Sequence, residues 1–264
     1  MTDVSTRIDL SGQAALVTGG SRGIGRAIAV RLAAAGARVA INFLRNRKAA
    51  EETAQTIARA GGETLILKGN VAEEAHVDRM LAEIREKFGR LDILVSNAAS
   101  GVLKPAADIT PKHFQWTIQI NAQAFLLLVQ KALPLLEAHA SAETPGRVLA
   151  VSSLGAIRAI PYYAAVGASK GALESLVRHL ALELGPKHIR VNIVSPGVVD
   201  TDALRHFPNR DAMLAFSAQH TPAGRLVSPE DVADVVLLLV SPLAAMIHGQ
   251  TIVVDGGYSI VAWP

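Results

Sequence analysis

Seven short runs of β-branched and aliphatic residues recur along the chain: Ala14–Thr18, Ala37–Asn42, Thr64–Lys68, Leu91–Ser96, Arg147–Ser152, Arg190–Ser195 and Thr251–Asp255. Between them lie helical patterns at 24–35, 46–60, 73–88, 111–138, 162–184 and 228–240. A strand buried on both faces has no polar side to alternate with. Continuous apolar runs joined through helices therefore mark a parallel sheet. The expected fold is α/β, a doubly wound seven-stranded parallel sheet with helices on both faces. Gly36, Gly61, Gly89 and Gly185 are expected to close helices as left-handed caps. Pro161 and Gly185-Pro186 bracket the helix around 162–184.

Half of the 264 residues are hydrophobic and 19% are charged, enough for a large core. No linker-like break in composition divides the chain, so 1–264 reads as one domain. Its one long non-repeating segment, Asp200 to Val227, falls after the sixth strand, where a substrate lid is expected. There is no cysteine, which excludes disulfides, thiolate nucleophiles and cysteine metal sites. The eight histidines show no metal-ligand spacing, so no metal is expected. The net charge of +3 is spread along the chain, giving nucleic-acid binding little support. Met1–Leu10 is polar, unlike a signal peptide, and Val235–Ile247 is too short for a membrane span. A cytoplasmic protein is expected.

After the first run comes Thr18-Gly19-Gly20-Ser21-Arg22-Gly23-Ile24-Gly25-Arg26, leading straight into a helical pattern. Such a turn lets backbone N–H groups approach a pyrophosphate, and the helix N-terminus favours the anion. The spacing is G-x-x-x-G-x-G rather than G-x-G-x-x-G, and a glycine cluster by itself is equally a tight turn. A site for NAD ordinarily has an acid at the end of the second strand, to hold the ribose 2′-hydroxyl. Here that strand ends Ile41-Asn42-Phe43-Leu44-Arg45, and Arg22 sits within the turn. Two cations without a carboxylate suit a 2′-phosphate, so NADPH is the expected cofactor. The alternative is a pair of solvated surface arginines.

Taken in order, several motifs resemble the short-chain dehydrogenase/reductase superfamily over the whole chain. They are Gly19/Gly23/Gly25, Asn97-Ala98-Ala99, Asn121, Ser153, Lys170, and Pro196-Gly197 with Thr201. The resemblance implies a Rossmann-type fold. It also implies cofactor contacts from Gly19, Ser21, Arg22, Gly23, Ile24, Gly25, Arg45, Asn70, Val71, Asn97, Ala98, Ala99, Lys170, Pro196, Gly197, Val199 and Thr201. Asn70-Val71 stands where the superfamily places Asp-Val beside the adenine. The usual Tyr-x-x-x-Lys is also altered, because Val166 lies four residues before Lys170 and cannot ionise. Tyr163 lies seven residues before Lys170, two helical turns, and so returns to within about 20° of the same face. Tyr162 falls about 80° round.

Tyr-x6-Lys is similar to the enoyl-acyl-carrier-protein reductases. Combined with the ordinary glycine turn and Ser153, it resembles their NADPH-dependent type III branch. Asn97–Leu103, Ser152–Gly155, Asp202–Arg210, Thr221–Arg225 and Gly249–Gly257 resemble that branch too. The implied reaction is reduction of trans-2-enoyl thioesters, on acyl carrier protein or coenzyme A, in fatty-acid or related biosynthesis. The implied catalytic set is Tyr163, Lys170, Ser153 and Asn121. Tyr163 would donate a hydrogen bond to the thioester oxygen as enolate charge builds, with Lys170 favouring the polarised phenol and holding the cofactor ribose. Ser153 either binds that oxygen or caps the strand. Asn121 either carries a structural water or caps a neighbouring backbone group. Lys104, Arg158, Arg205 and Arg210 are expected to form a docking patch for an acidic carrier, and a homotetramer is implied. The alternatives are a 3-oxoacyl or other carbonyl/alcohol reductase, and a nucleotide-binding protein without catalysis.

Overall fold

Seven parallel strands form one sheet in the order β3-β2-β1-β4-β5-β6-β7. They are β1 (Ala14–Val17), β2 (Arg38–Phe43), β3 (Thr64–Lys68), β4 (Ile93–Ser96), β5 (Gly146–Val151), β6 (Ile189–Pro196) and β7 (Thr251–Val254). The computed structural model describes residues 8–262, apart from the side chain of His206. The strand order reverses at β1, whose Val17 lies beside Ile41 of β2 and Val95 of β4. Such a switch point opens a crevice at the carboxyl ends of the strands. The glycine turn leaves β1 at that crevice.

The central strands β1, β5 and β6 are buried along their whole length, which is why they read as unbroken apolar runs. One face of the sheet is covered by α3 (Glu74–Phe88), α5 (Ala124–Glu137) and α6 (Ala164–Leu184). The other is covered by α1 (Gly23–Ala34), α2 (Arg47–Arg59) and α8 (Pro229–Val240). Helix starts follow local chemistry. Asn46 caps α2 by accepting from the Ala49 N–H. Ser228 and Asp231 form a reciprocal capping box on α8, with Pro229 in the first turn. Among the described residues, no helix is long and apolar enough to cross a membrane.

Four local expectations need correction. The pattern at 111–138 is not one α-helix: α4 (Pro111–Ile118) passes through a π turn at Gln119–Gln123 before α5 begins. The wide turn turns Asn121 inward, onto partners described below. Second, Gly185 is right-handed (φ −54°) and does not close α6 as a left-handed cap. The chain makes one further turn at Gly185–Lys187, and His188 takes the left-handed position (φ 56°), its N–H donating to the Gly185 carbonyl at 3.0 Å. Third, α6 starts at Ala164, so Tyr162 and Tyr163 precede the helix. Fourth, the segment 200–227 contains a helix, α7 (Arg210–His220), after a 3₁₀ turn at Asp202–His206. Only Ser217 of α7 is buried, which explains why no strong apolar period marks it.

Candidate active site

The glycine turn is shaped by its neighbours. Gly19 and Gly23 have φ of 62° and 53°, which side-chain-bearing residues seldom adopt. A Cβ on Gly25 would overlap the Gly19 carbonyl and the Asn97 side chain. Asn97 Nδ2 donates to the Thr18 and Gly19 carbonyls at 3.0 and 3.2 Å, tying the end of β4 to the turn. The Thr18 hydroxyl accepts from the Asn97 and Ala98 N–H groups, both at 3.0 Å. From β2, Asn42 Oδ1 accepts from the Gly19 N–H at 3.3 Å, while its Nδ2 donates to the Leu67 and Gly69 carbonyls. No side chain caps α1, so its first N–H groups stay available to an anion. A cradle closed to Cβ atoms below an uncapped helix start fits a dinucleotide pyrophosphate.

The other residues named for that role surround the turn. Thr201 approaches Gly23 closely, its Cγ2 lying 3.3 Å from where a Cβ would stand. The Gly197 N–H donates to the Val254 carbonyl of β7 at 2.9 Å, fixing the Pro196-Gly197 bend, and Val199 bridges to Val227. Val71 is buried. Asn70 Oδ1 accepts from the Ala72 N–H, and its own N–H donates to His76 Nδ1. Arg45 is exposed beyond β2. Arg22, however, is not free: its Nη1 lies 3.1 Å from Asp202 Oδ2. The sequence reading, which found no carboxylate near the two cations, missed this one because it lies 180 residues away.

The three ionisable groups of the second cluster converge on three consecutive residues at the end of β5. Lys170 Nζ donates to the Val151 carbonyl at 2.7 Å. The Ser152 hydroxyl donates to Glu174 Oε1 at 2.7 Å. The Tyr163 hydroxyl donates to Ser153 Oγ at 3.3 Å. Lys170 and Glu174 are one helical turn apart on the buried face of α6. Tyr163 reaches the strand by a different route from the shared helical face anticipated above. Tyr162 takes a left-handed conformation (φ 64°), costly for a bulky side chain, and the chain reverses there so that Tyr163 becomes the N-cap position of α6. The Tyr162 carbonyl accepts from the Lys104 N–H at 3.1 Å.

Glycines make room for the tyrosine. A Cβ at Gly155 would run into the Tyr163 ring, and one at Gly167 would stand 2.6 Å from the Gly155 carbonyl oxygen. Val166 is buried, and a Cβ at Gly101 would overlap it. The position four residues before Lys170 is therefore packed, not an open slot for a phenol. Burial pushes the Tyr163 pKa up, against a smaller lowering by Ser153, so the group stays a phenol at neutral pH. Burial pulls Lys170 down to about 8, and the nearby Glu174 carboxylate opposes that shift. Ser153 Oγ also accepts from the Gly155 N–H at 3.2 Å, so it both caps the strand end and faces Tyr163. Asn121 accepts from the Ser100 N–H at 3.0 Å and donates to Ser169 Oγ at 2.9 Å, as in the capping alternative.

The segment after β6 lies over both clusters. Phe207 stacks on Tyr163 with ring centroids 5.8 Å apart. Arg205 Nη2 meets Asp202 Oδ1 at 2.8 Å, and Arg210 Nη2 meets Asp200 Oδ1 at 2.7 Å. Of the four cations expected to form a patch, these two are thus paired with acids. Lys104 and Arg158 are exposed. Thr18, Asn42, Ser169, Glu174 and Asp202 are positioning residues that sequence reasoning overlooked. The i,i+4 spacing from Lys170 signals only Glu174.

The model described as Enoyl-(Acyl carrier protein) reductase matches residues 19–259. The chain is 38% identical over 254 residues to the 1-cyclohexenylcarbonyl-CoA reductase of Streptomyces collinus, covering 96% of this chain and 89% of that protein. The structure of a 7α-hydroxysteroid dehydrogenase complexed with NADH and 7-oxo glycochenodeoxycholic acid superposes with a TM-score of 0.88 at 33% identity, covering 95% of this chain and 96% of the other. The Pseudomonas aeruginosa RhlG/NADP active-site complex superposes with a TM-score of 0.87 at 36% identity, over 96% and 98% of the two chains. With the family model spanning most of the sheet and a relative above 30% identity over nearly its full length, the chain belongs to the short-chain dehydrogenase/reductase family of oxidoreductases.

Proposed function

We propose that this oxidoreductase reduces trans-2-enoyl thioesters with NADPH. The observation that carries the reading is the displaced phenol: Tyr163, seven residues before Lys170, meets Ser153 while Val166 is packed away. Support also comes from the Streptomyces relative, since 1-cyclohexenylcarbonyl-CoA is itself a conjugated enoyl thioester. NADPH would be held by the glycine turn Gly19–Gly25, by Arg45, Asn70-Val71, Asn97–Ala99 and Lys170, and by Pro196-Gly197, Val199 and Thr201. When bound, it supplies the hydride for the β carbon.

The protein's part is charge and position. As negative charge builds on the thioester oxygen, the Tyr163 phenol donates a hydrogen bond to it, and its raised pKa keeps the proton on Oη. A proton from water then completes the reduction at the α carbon. With the phenol's single proton turned from Ser153 to the thioester oxygen, the Ser153 hydroxyl can donate to Oη in return and hold the phenol on the strand side. Lys170, anchored on the Val151 carbonyl, places a cation beside the site when protonated. Phe207 over the Tyr163 ring excludes water from one side. The segment Asp200 to Val227 is the substrate lid of this reading. Lys104 and Arg158 remain the open cations for an acidic carrier, and a homotetramer accounts for exposed apolar residues such as Leu243 and Met246.

A carbonyl reductase is the second reading. The Tyr163–Ser153 hydroxyl pair that would polarise a thioester would polarise a ketone as well. The deciding experiment compares NADPH oxidation with crotonyl and acetoacetyl thioesters, on coenzyme A and on carrier protein. Turnover of crotonyl but not acetoacetyl thioester is expected, and the reverse overturns the proposal. Tyr163→Phe is expected to lower kcat by about 10²–10³, the usual loss for one oxyanion donor. High salt is expected to weaken only the carrier-bound reaction.

A further inference from the structure

We propose that Asp202 moderates the cofactor preference of this enzyme, by competing with a 2′-phosphate for Arg22. The inference rests on the NADPH reading above and adds to it a residue outside the glycine turn. Asp202 lies between two guanidinium groups, with Oδ2 3.1 Å from Arg22 and Oδ1 2.8 Å from Arg205. One carboxylate thereby bridges the cofactor turn and the segment after β6. It borders a cleft of about 350 Å³, lined also by Gly23, Thr201 and Arg205, which opens against the start of α1.

The charge arithmetic is local. Arg210 is taken up by Asp200 and Asp211 at 2.7 and 2.8 Å, so it does not neutralise Asp202. Arg45 has no ion-pair partner among the described residues and stands ready for a phosphate. Arg22 offers a 2′-phosphate its full charge and its Nη1 donor only when the pair with Asp202 loosens, leaving Asp202 on Arg205. A dinucleotide with a free 2′-hydroxyl makes no such claim on Arg22 and loses nothing by this competition, while any repulsion of the pyrophosphate by Asp202 falls on both cofactors alike. The carboxylate thus penalises NADPH selectively and moderates a preference that Arg22 and Arg45 would otherwise make steeper. Both partners of the Arg22 pair are partly exposed, so the effect is that of a surface ion pair.

The test is a fluorescence titration of NADPH and NADH at low ionic strength with no thioester present, which keeps it independent of the substrate assignment. Asp202→Asn retains the shape and removes the charge. It is expected to tighten NADPH about threefold to fivefold and to leave NADH within about twofold. Asp202→Glu is expected to behave as wild type. In an Arg22→Gln background the Asn substitution is expected to lose its effect on the NADPH/NADH ratio. An equal shift for both cofactors, as a merely loosened lid would give, overturns the inference, as does unchanged or weaker NADPH binding. A wild-type protein that binds both cofactors equally overturns the NADPH reading and this inference together, and shows itself before any variant is made.

Discussion

The candidate catalytic groups differ in how they are tuned. Tyr163 is kept neutral by burial, while Lys170 is brought near its titration range by the same force. If the ammonium form of Lys170 is the working form, activity falls as pH rises through about 8, since deprotonation removes its charge. Glu174 raises the Lys170 pKa, so Glu174→Gln moves the alkaline limb of the kcat/KM profile to lower pH. The amide still accepts from the Ser152 hydroxyl, so a rate close to wild type is expected on the acidic plateau, well below the shifted limb. An unmoved limb would detach Lys170 from the profile. Spacing in the sequence singled out Tyr163 over Tyr162, yet for a reason the structure replaces. The phenol reaches Ser153 through a left-handed Tyr162 rather than along a shared helical face. Nothing in residue order announces that reversal, because a tyrosine is a poor candidate for positive φ.

Elements were legible where one physical signal dominated. The seven strands lie within two residues of the apolar runs. For the inner five, burial on both faces leaves no ambiguity of period, while the half-buried edge strands β3 and β7 are marked by their β-branched and aliphatic residues. Helix α7 was illegible because it buries one residue and carries no apolar stripe. The π turn was hidden for another reason: of its two buried residues, Asn121 is polar and Ala122 is small, and a periodicity reading assigns polar residues to the surface. Asn121 spans the Ser100 loop and Ser169 of α6 from a buried position. Asn121→Ala would orphan a backbone N–H and a hydroxyl acceptor at once. The expected loss is about 1–3 kcal/mol per unsatisfied group, read as a lower urea midpoint with unchanged m-value. An unchanged midpoint would mean that water replaces the amide.

At the scale of the molecule, the candidate site is assembled from segments far apart in sequence. The glycine turn belongs to β1, Asn97 to the end of β4, Ser153 to the end of β5, and Gly197 to the bend after β6. Strand order was not read from the sequence, and the Arg22–Asp202 pair shows the cost: two residues adjacent in space lay unconnected on the page. The bend at Gly197 has a further consequence, one for biosynthesis. Its N–H is held by Val254, and among the described residues β7 pairs only with β6, at the edge of the sheet. A ribosome makes Thr251–Val254 after every other strand. A nascent chain held short of that point has six strands available but no anchor for the Pro196-Gly197 bend. The Gly197 bend is thus expected to be set only after β7 has docked on β6, as a late step in building the cofactor crevice.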